Sequence, residues 1–237
     1  MTIQEQKDEI CDIGHRMWLK GFCAGNEGNL SVRVEEDRIL CTPTGVSKGF
    51  LNSEMIMTVD LEGMQIGSIG KYKRTSEILL HLQIYKRRAD VKAVVHSHPP
   101  HATAFACSGI AVPECVHPEA EFFIGKIKTA AYCMPGRTEV GQGVCALIDE
   151  TTNTVLMGNH GSVCFSTSLM EAYYKLEILD SYCRLLFDLK RLGSVRWMTD
   201  GEMKELLELK KRYGLGDPRL ESGEYGRDNG GFLKGLG

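Results

Sequence analysis

The 237-residue sequence has no apolar run approaching the roughly 18 residues that a membrane-crossing helix needs. Its start, Met1-Thr-Ile-Gln-Glu-Gln-Lys-Asp-Glu9, is polar where a secretory signal would be apolar. A cytoplasmic protein without a membrane span is expected. There is little excess of either charge: 28 lysines and arginines face 31 aspartates and glutamates, a net −3. Such a balance attracts neither nucleic acid nor an anionic membrane, so any anion affinity must come from a local pocket. The nine cysteines are odd in number and no two stand three apart. That argues against a disulfide framework and a Cys-x-x-Cys metal knuckle, and for scattered reduced thiols. Repeats and a composition-marked linker are missing as well, so one domain is expected. What remains is ordinary globular composition, 43% hydrophobic and 25% charged, on a chain long enough to bury a substantial core.

Periodicity divides that chain into interleaved helices and strands. Ile10, Ile13, Met17 and Trp18 predict an amphipathic helix over 4–20, stopped by Gly21. A glycine-asparagine turn over 24–31 leads into Val32-Arg-Val34, and the run 38–42 returns across an acidic turn as the second arm of a hairpin. Residues 55–60 predict a strand and 63–70 a turn-rich stretch. Thr75 or Ser76 can cap a helix with Ile78, Leu79, Leu82 and Tyr85 on its apolar side and Lys86, Arg87 and Arg88 in its last turn. A strand over 91–98 stops at Pro99-Pro100, and a helix over 101–108 follows. Further on come a strand within 124–132, a helix over 138–148, and strands 154–157 and 162–165 flanking Gly158-Asn-His-Gly161. A long helix from Ser166 or Ser168 reaches about Leu192, and Thr199-x-x-Glu202 is a capping box for a final helix ending at Gly214. The alternation places the fold in the α/β class. Residues 220–237 hold six glycines and little periodicity, so 1–219 is expected as the domain and the rest as a flexible tail.

His96-Ser-His98 is the most informative triplet. Alternate residues of a strand face the same way, which sets two imidazoles side by side toward one ion. Two imidazoles do not hold zinc by themselves, and a lone His-x-His also occurs as a hydrogen-bonded core pair. His160, in a glycine-flanked turn, can supply a third, leaving an open position of the kind catalytic zinc requires. His101, beyond two prolines, is less favourably framed. Glu77 at the start of a helix is stabilised by the helix dipole alone, but beside a metal it could ligate the ion or act as a general base. Gly28-Asn29, Thr44-Gly45, and Thr75-Ser76 after Lys71, Lys73 and Arg74 offer the backbone N–H groups and small hydroxyls that a phosphate wants. Each alone is an ordinary turn.

The order of these motifs is more specific than any one of them. Gly28-Asn-Leu-Ser31, Thr42-Pro-Thr-Gly45, Thr75-Ser-Glu77, His96-Ser-His-Pro-Pro100 and Asn159-His-Gly161 together resemble the class II aldolase/adducin family, the fuculose-phosphate aldolase branch above all. The likeness covers about 5–215 and includes Lys211-Arg-Tyr-Gly-Leu215. The resemblance implies a three-layer α/β/α fold around a mainly antiparallel sheet, in a homotetramer with active sites between subunits. It implies a zinc ion, with cobalt or manganese as alternatives, on His96, His98 and His160, with Glu77 as further ligand and acid/base. Gly28, Asn29, Thr44, Gly45, Thr75 and Ser76 would cradle a substrate phosphate, and Tyr213 would act on the aldehyde side. His117 stands where the family presents a tyrosine from the neighbouring subunit. The implied reaction is reversible cleavage of a ketose 1-phosphate into dihydroxyacetone phosphate and an aldehyde. Related members are decarboxylases, or 4-epimerases that carry aspartate in place of Glu77. The adducin branch keeps the fold as a binding module without the metal site.

Overall fold

A computed structural model describes residues 1–67, 71–228 and 231–234. Strands β1 (Asn29–Glu35), β2 (Arg38–Cys41), β3 (Met57–Val59), β4 (Gln65–Ile66), β5 (Ala93–Ser97), β6 (Lys128–Ala130), β7 (Thr154–Met157) and β8 (Gly161–Ser166) form one sheet. Their order is β4-β3-β2-β1-β5-β8-β7-β6, antiparallel except for the parallel β6–β7 pair. The mainly antiparallel sheet of the resemblance is therefore present. The expected hairpin is β1–β2, paired from Ser31 with Cys41 to Glu35 with Arg38. Residues 68–70 of the turn-rich stretch lie outside the described residues.

Strand alternation decides which residues face which helices. Leu30, Val32, Ala93, Val95 and Cys164 point to one face, where α1 (Ile3–Leu19), α3 (Pro100–Ser108), α4 (Pro118–Phe123) and α6 (Leu169–Leu192) cover them. Val94, Val155, Val163 and Phe165 point to the other, under α2 (Ile78–Arg87) and α5 (Thr138–Cys145). The result is helices, sheet, helices. Local signals set the ends: Thr2 and Glu5 form a capping box on α1, Ser168 caps α6, and Thr199 with Glu202 does the same for α7 (Asp200–Arg212). All nine cysteines are free.

Two expectations are corrected. Helix α2 begins one residue later than a Ser76 cap, and two later than a Thr75 cap, would place it, with Glu77 itself at the N-cap and the Thr75 hydroxyl accepting from the Glu77 N–H. The glycine-rich end is no simple tail: Arg219–Ser222 form a further short helix, α8, and Phe232 and Leu233 are buried in the core. Phe232 packs between Phe105 and Phe187, and its carbonyl accepts from Lys190 Nζ. Two apolar residues among glycines are too few to show periodicity, yet they suffice to anchor a segment. Residues 229–230 and 235–237 lie outside the described residues. No helix among the described residues is long and apolar enough to cross a membrane.

Candidate metal centre

Strand β5 is central, and its neighbours deliver the site. Asn29 opens β1 opposite His96, and on the other side Ser162 of β8 lies opposite Ser97, so the turn before β8 brings His160 to the same end of the sheet. Asn159 makes that turn with a positive φ of 54°, a conformation asparagine tolerates better than most residues. Gly161 is equally constrained, since a Cβ there would lie 2.5 Å from the His98 ring. The N-terminus of α2 supplies Glu77. His98 falls one residue beyond β5, but still turns toward His96.

One ligating atom from each of His96, His98 and His160 lies within 4.8 Å of the others. His96 Nδ1 is 2.9 Å from the Ser162 carbonyl, which can only accept, so Nδ1 carries a proton and Nε2 is the ring nitrogen turned inward. His98 is oriented the same way, with Nδ1 3.2 Å from Glu27 Oε2 and Nε2 3.2 Å from His96 Nε2. The two Nε2 atoms are within hydrogen-bond distance, a contact that a proton on His96 satisfies and that a bound cation could replace. Glu77 completes the cluster, with Oε2 3.2 Å from His96 Nε2 and Oε1 3.5 Å from His160 Nε2. Glu77 Oε1 is buried without a hydrogen-bond partner, as a free ligand atom would be. Three imidazoles and a carboxylate suit zinc or its first-row neighbours rather than magnesium. An acceptor behind Nδ1, as His96 and His98 have, is the arrangement that orients metal ligands.

Electrostatics fit the same use. Burial pushes His160 down to about 4 and, reinforced by the His96 charge, depresses His98 too, so both are neutral ligands at pH 7. His96 differs: burial pushes it down, but the Glu77 carboxylate outweighs burial and holds it above its ordinary value. Burial pushes Glu77 up, whereas His96, His160 and the Asn29 amide together hold it well below the carboxylate range.

The residues expected to cradle a phosphate are tied together beside Glu77. A β-bridge between Pro43 and Arg74, Thr44 N–H donating to Lys73 O at 2.9 Å, and Thr75 N–H donating to Thr42 O at 3.1 Å pin the 42–45 turn against 73–76. Leu30 N–H donates to the Thr42 hydroxyl, which ties both turns to β1. Gly28 has φ 72°, and a Cβ there would meet Cys23 Sγ at 2.6 Å and His96 O at 3.0 Å. Asn29 is buried and its amide serves Glu77, leaving Oδ1 unpartnered. Of the basic run, Arg74 is occupied by the carbonyls of Gly63 and Thr75.

The profile of the class II aldolase and adducin N-terminal domain matches residues 8–187. The chain belongs to the class II aldolase/adducin family. It is 32% identical over 212 residues to 3-oxo-tetronate 4-phosphate decarboxylase of Haemophilus influenzae, covering 87% of this chain and 98% of that one. It is 35% identical over 181 residues to L-fuculose phosphate aldolase of Methanococcus maripaludis, covering 76% and 95%. The solved structure of YgbL from Klebsiella pneumoniae, a candidate aldolase/epimerase/decarboxylase, superposes with a TM-score of 0.79 at 31% identity, covering 87% and 99%.

Other residues of this class II aldolase/adducin chain fall elsewhere. Tyr213 closes α7, 72% exposed, its ring 5.7 Å from that of Phe122. His117 precedes α4, its Nε2 3.3 Å from Glu119 and its ring 6.2 Å from that of Tyr182. Among the described residues no hydrogen bond, ion pair or ring contact joins either to the three histidines. His101 lies outside the cluster of three histidines, its Nδ1 paired with Asp180, which also caps α3. Sequence reasoning missed Glu27, whose only signal is an acid inside a glycine turn. It also missed Arg137, which lines a small cleft with Ser76 and Glu77, and buried His81, bonded to Ser31.

Proposed function

We propose that this chain is a metal-dependent carbon–carbon lyase that cleaves a ketose 1-phosphate reversibly into dihydroxyacetone phosphate and an aldehyde. The observation that carries the reading is the position of Glu77, a half-buried carboxylate between His96 and His160 whose second oxygen is buried without a hydrogen-bond partner. His96, His98 and His160 would hold the ion, zinc in the first place, with cobalt or manganese able to substitute. Bound there, a divalent cation supplies Lewis-acid stabilisation of the negative charge that develops on the substrate oxygens when the carbon–carbon bond breaks. The Thr44-Gly45 and Thr75-Ser76 turns, with Gly28 and Asn29 beside them, would bind the phosphate and fix the three-carbon half. Glu77 would carry the proton to and from the carbon next to the carbonyl, a role worth about 10²–10⁴-fold. Tyr213 and His117 would serve the proton on the aldehyde oxygen. Since both lie away from the histidines of their own chain, we infer a homotetramer in which one subunit completes the site of the next, acting in the cytoplasm.

Decarboxylation of a phosphorylated keto acid is the second reading. It is favoured by the likeness to the Haemophilus influenzae decarboxylase along nearly that protein's whole length. The two reactions leave the same kind of three-carbon carbanion for Glu77 to protonate and differ only in whether an aldehyde or carbon dioxide departs.

The test is solvent-deuterium incorporation into dihydroxyacetone phosphate, followed by NMR with zinc-loaded and chelated protein. Metal-dependent exchange is the expected result, after which the released product separates aldehyde from carbon dioxide. Absence of exchange in fully loaded protein would overturn both readings.

A further inference from the structure

Away from the metal centre, Glu114, Glu121, Lys210, Asp217 and Arg219 form a buried cluster of charges, each side chain 7% exposed or less. Arg219 Nη1 donates to Glu114 Oε2 and Glu121 Oε2, both at 2.7 Å, and Nη2 donates to Asp217 Oδ2 at 2.8 Å. Lys210 Nζ donates to the same Asp217 oxygen at 2.9 Å and to the Glu121 carbonyl at 3.1 Å. Glu121 Oε1 accepts from Cys115 N–H at 2.5 Å, closing the 115–121 loop on itself.

Burying this many charges is costly, and apolar residues of similar volume commonly serve stability as well. What an apolar cluster would not supply is a defined register among the segments that meet here. Those segments are informative. Glu114 and Glu121 stand on either side of His117, and Lys210 and Asp217 on either side of Tyr213. The cluster thus bolts the flanks of one candidate aldehyde-side residue to the flanks of the other. Two further contacts stiffen the same unit: Tyr182 OH donates to Pro113 O at 2.6 Å, and the Phe122 ring lies against Tyr213. None of the five makes a hydrogen bond or ion pair to the three histidines or Glu77.

We propose that Arg219 is a positioning residue for the aldehyde half of the reaction, holding His117 and Tyr213 in fixed relation while the metal half works independently of it. The proposal rests on the aldol reading above and goes beyond it by dividing the site into two separately mutable parts.

The test compares two reactions of the zinc-loaded full chain: deuterium exchange into dihydroxyacetone phosphate alone, and condensation of dihydroxyacetone phosphate with a panel of short aldehydes including glycolaldehyde. Arg219→Met is expected to keep exchange within about 2-fold of wild type and to lose about 10²-fold in kcat/KM for the aldehyde, the cost of a small misplacement. Arg219→Lys, which restores the charge without the forked geometry, is expected to recover part of that loss. Circular dichroism checks folding, and if Arg219→Met does not fold, the isosteric Glu114→Gln reads the same ratio. Exchange and condensation falling together, or neither falling, would overturn the proposal. So would a wild type that exchanges but condenses with no aldehyde. A wild type that does neither overturns the proposed reaction itself, and with it this role.

Discussion

Asn29 Nδ2 donates to Glu77 Oε2 at 2.9 Å, joining the first residue of β1 to the N-cap of α2 across 48 positions of sequence. The amide favours the charged carboxylate, so removing it raises the Glu77 pKa. His96 and His160 remain to hold Glu77 charged, so Asn29→Ala is expected to leave the pH profile between 5 and 9 in place. It should lower the plateau rate of deuterium exchange by about 10–100-fold, the scale of one hydrogen bond to a charged group. A profile measured over that range on the metal-loaded variant checks both.

Glu77 and the histidines have separable roles. Glu77→Gln is expected to retain bound zinc, because three imidazoles remain, while exchange falls about 10²–10⁴-fold. His98→Ala should lose metal and activity together. Glu27→Ala, which removes only the acceptor behind His98 Nδ1, should weaken zinc binding about 10–100-fold. Metal content after dialysis and calorimetric titration with zinc distinguish the three, and an active Glu77→Gln protein would refute the acid/base role.

Buried His81 carries a pH dependence of stability. Burial, reinforced by the His96 charge, holds His81 down to about 3 from an ordinary 6.5, while Ser31 bonds its Nδ1 at 2.7 Å. A histidine held neutral in the fold contributes stability that is complete above pH 6.5 and is lost as pH falls toward 3, because the unfolded chain binds the proton first. The slope is about 1.4 kcal/mol per pH unit in that window. His98 and His160, also depressed, act in the same direction. Urea denaturation at pH 7 and 5 should show the loss, and His81→Gln should show it reduced.

Phe232 tests whether the glycine-rich end belongs to the core. It is 7% exposed, between Phe105 and Phe187, with Lys190 Nζ 4.4 Å from its ring centroid. Phe232→Ala is expected to destabilise the fold by about 3–5 kcal/mol. An unchanged urea midpoint would return this segment to the status of a tail.

Much of the architecture was legible because its signals are local. The start of α7 follows from Thr199 with Glu202, within one turn of helix, and α1 from the spacing of Ile10, Ile13 and Met17. The β1–β2 hairpin follows from two short runs across an acidic turn. The C-terminal segment was not legible, since Phe232 and Leu233 find their partners on α3 and α6, far away in sequence. Nor was Glu27, whose acceptor role exists only because its turn folds back on His98.

By itself the sequence offered candidates: the alternation of His96 and His98 sets two imidazoles toward one side, the glycine-flanked turn at His160 could supply a third, and the family resemblance named the three together. Tertiary structure decided everything that depends on convergence. Pairing of β5 with β1 and β8 set Asn29 and His160 beside His96, and the packing of α2 brought Glu77 between two imidazoles. It also bound Arg219 to the flanks of His117 and Tyr213. The reason is physical: periodicity records which way a residue faces relative to its neighbours in the chain, whereas charge pairing and burial are properties of surfaces that meet only after folding.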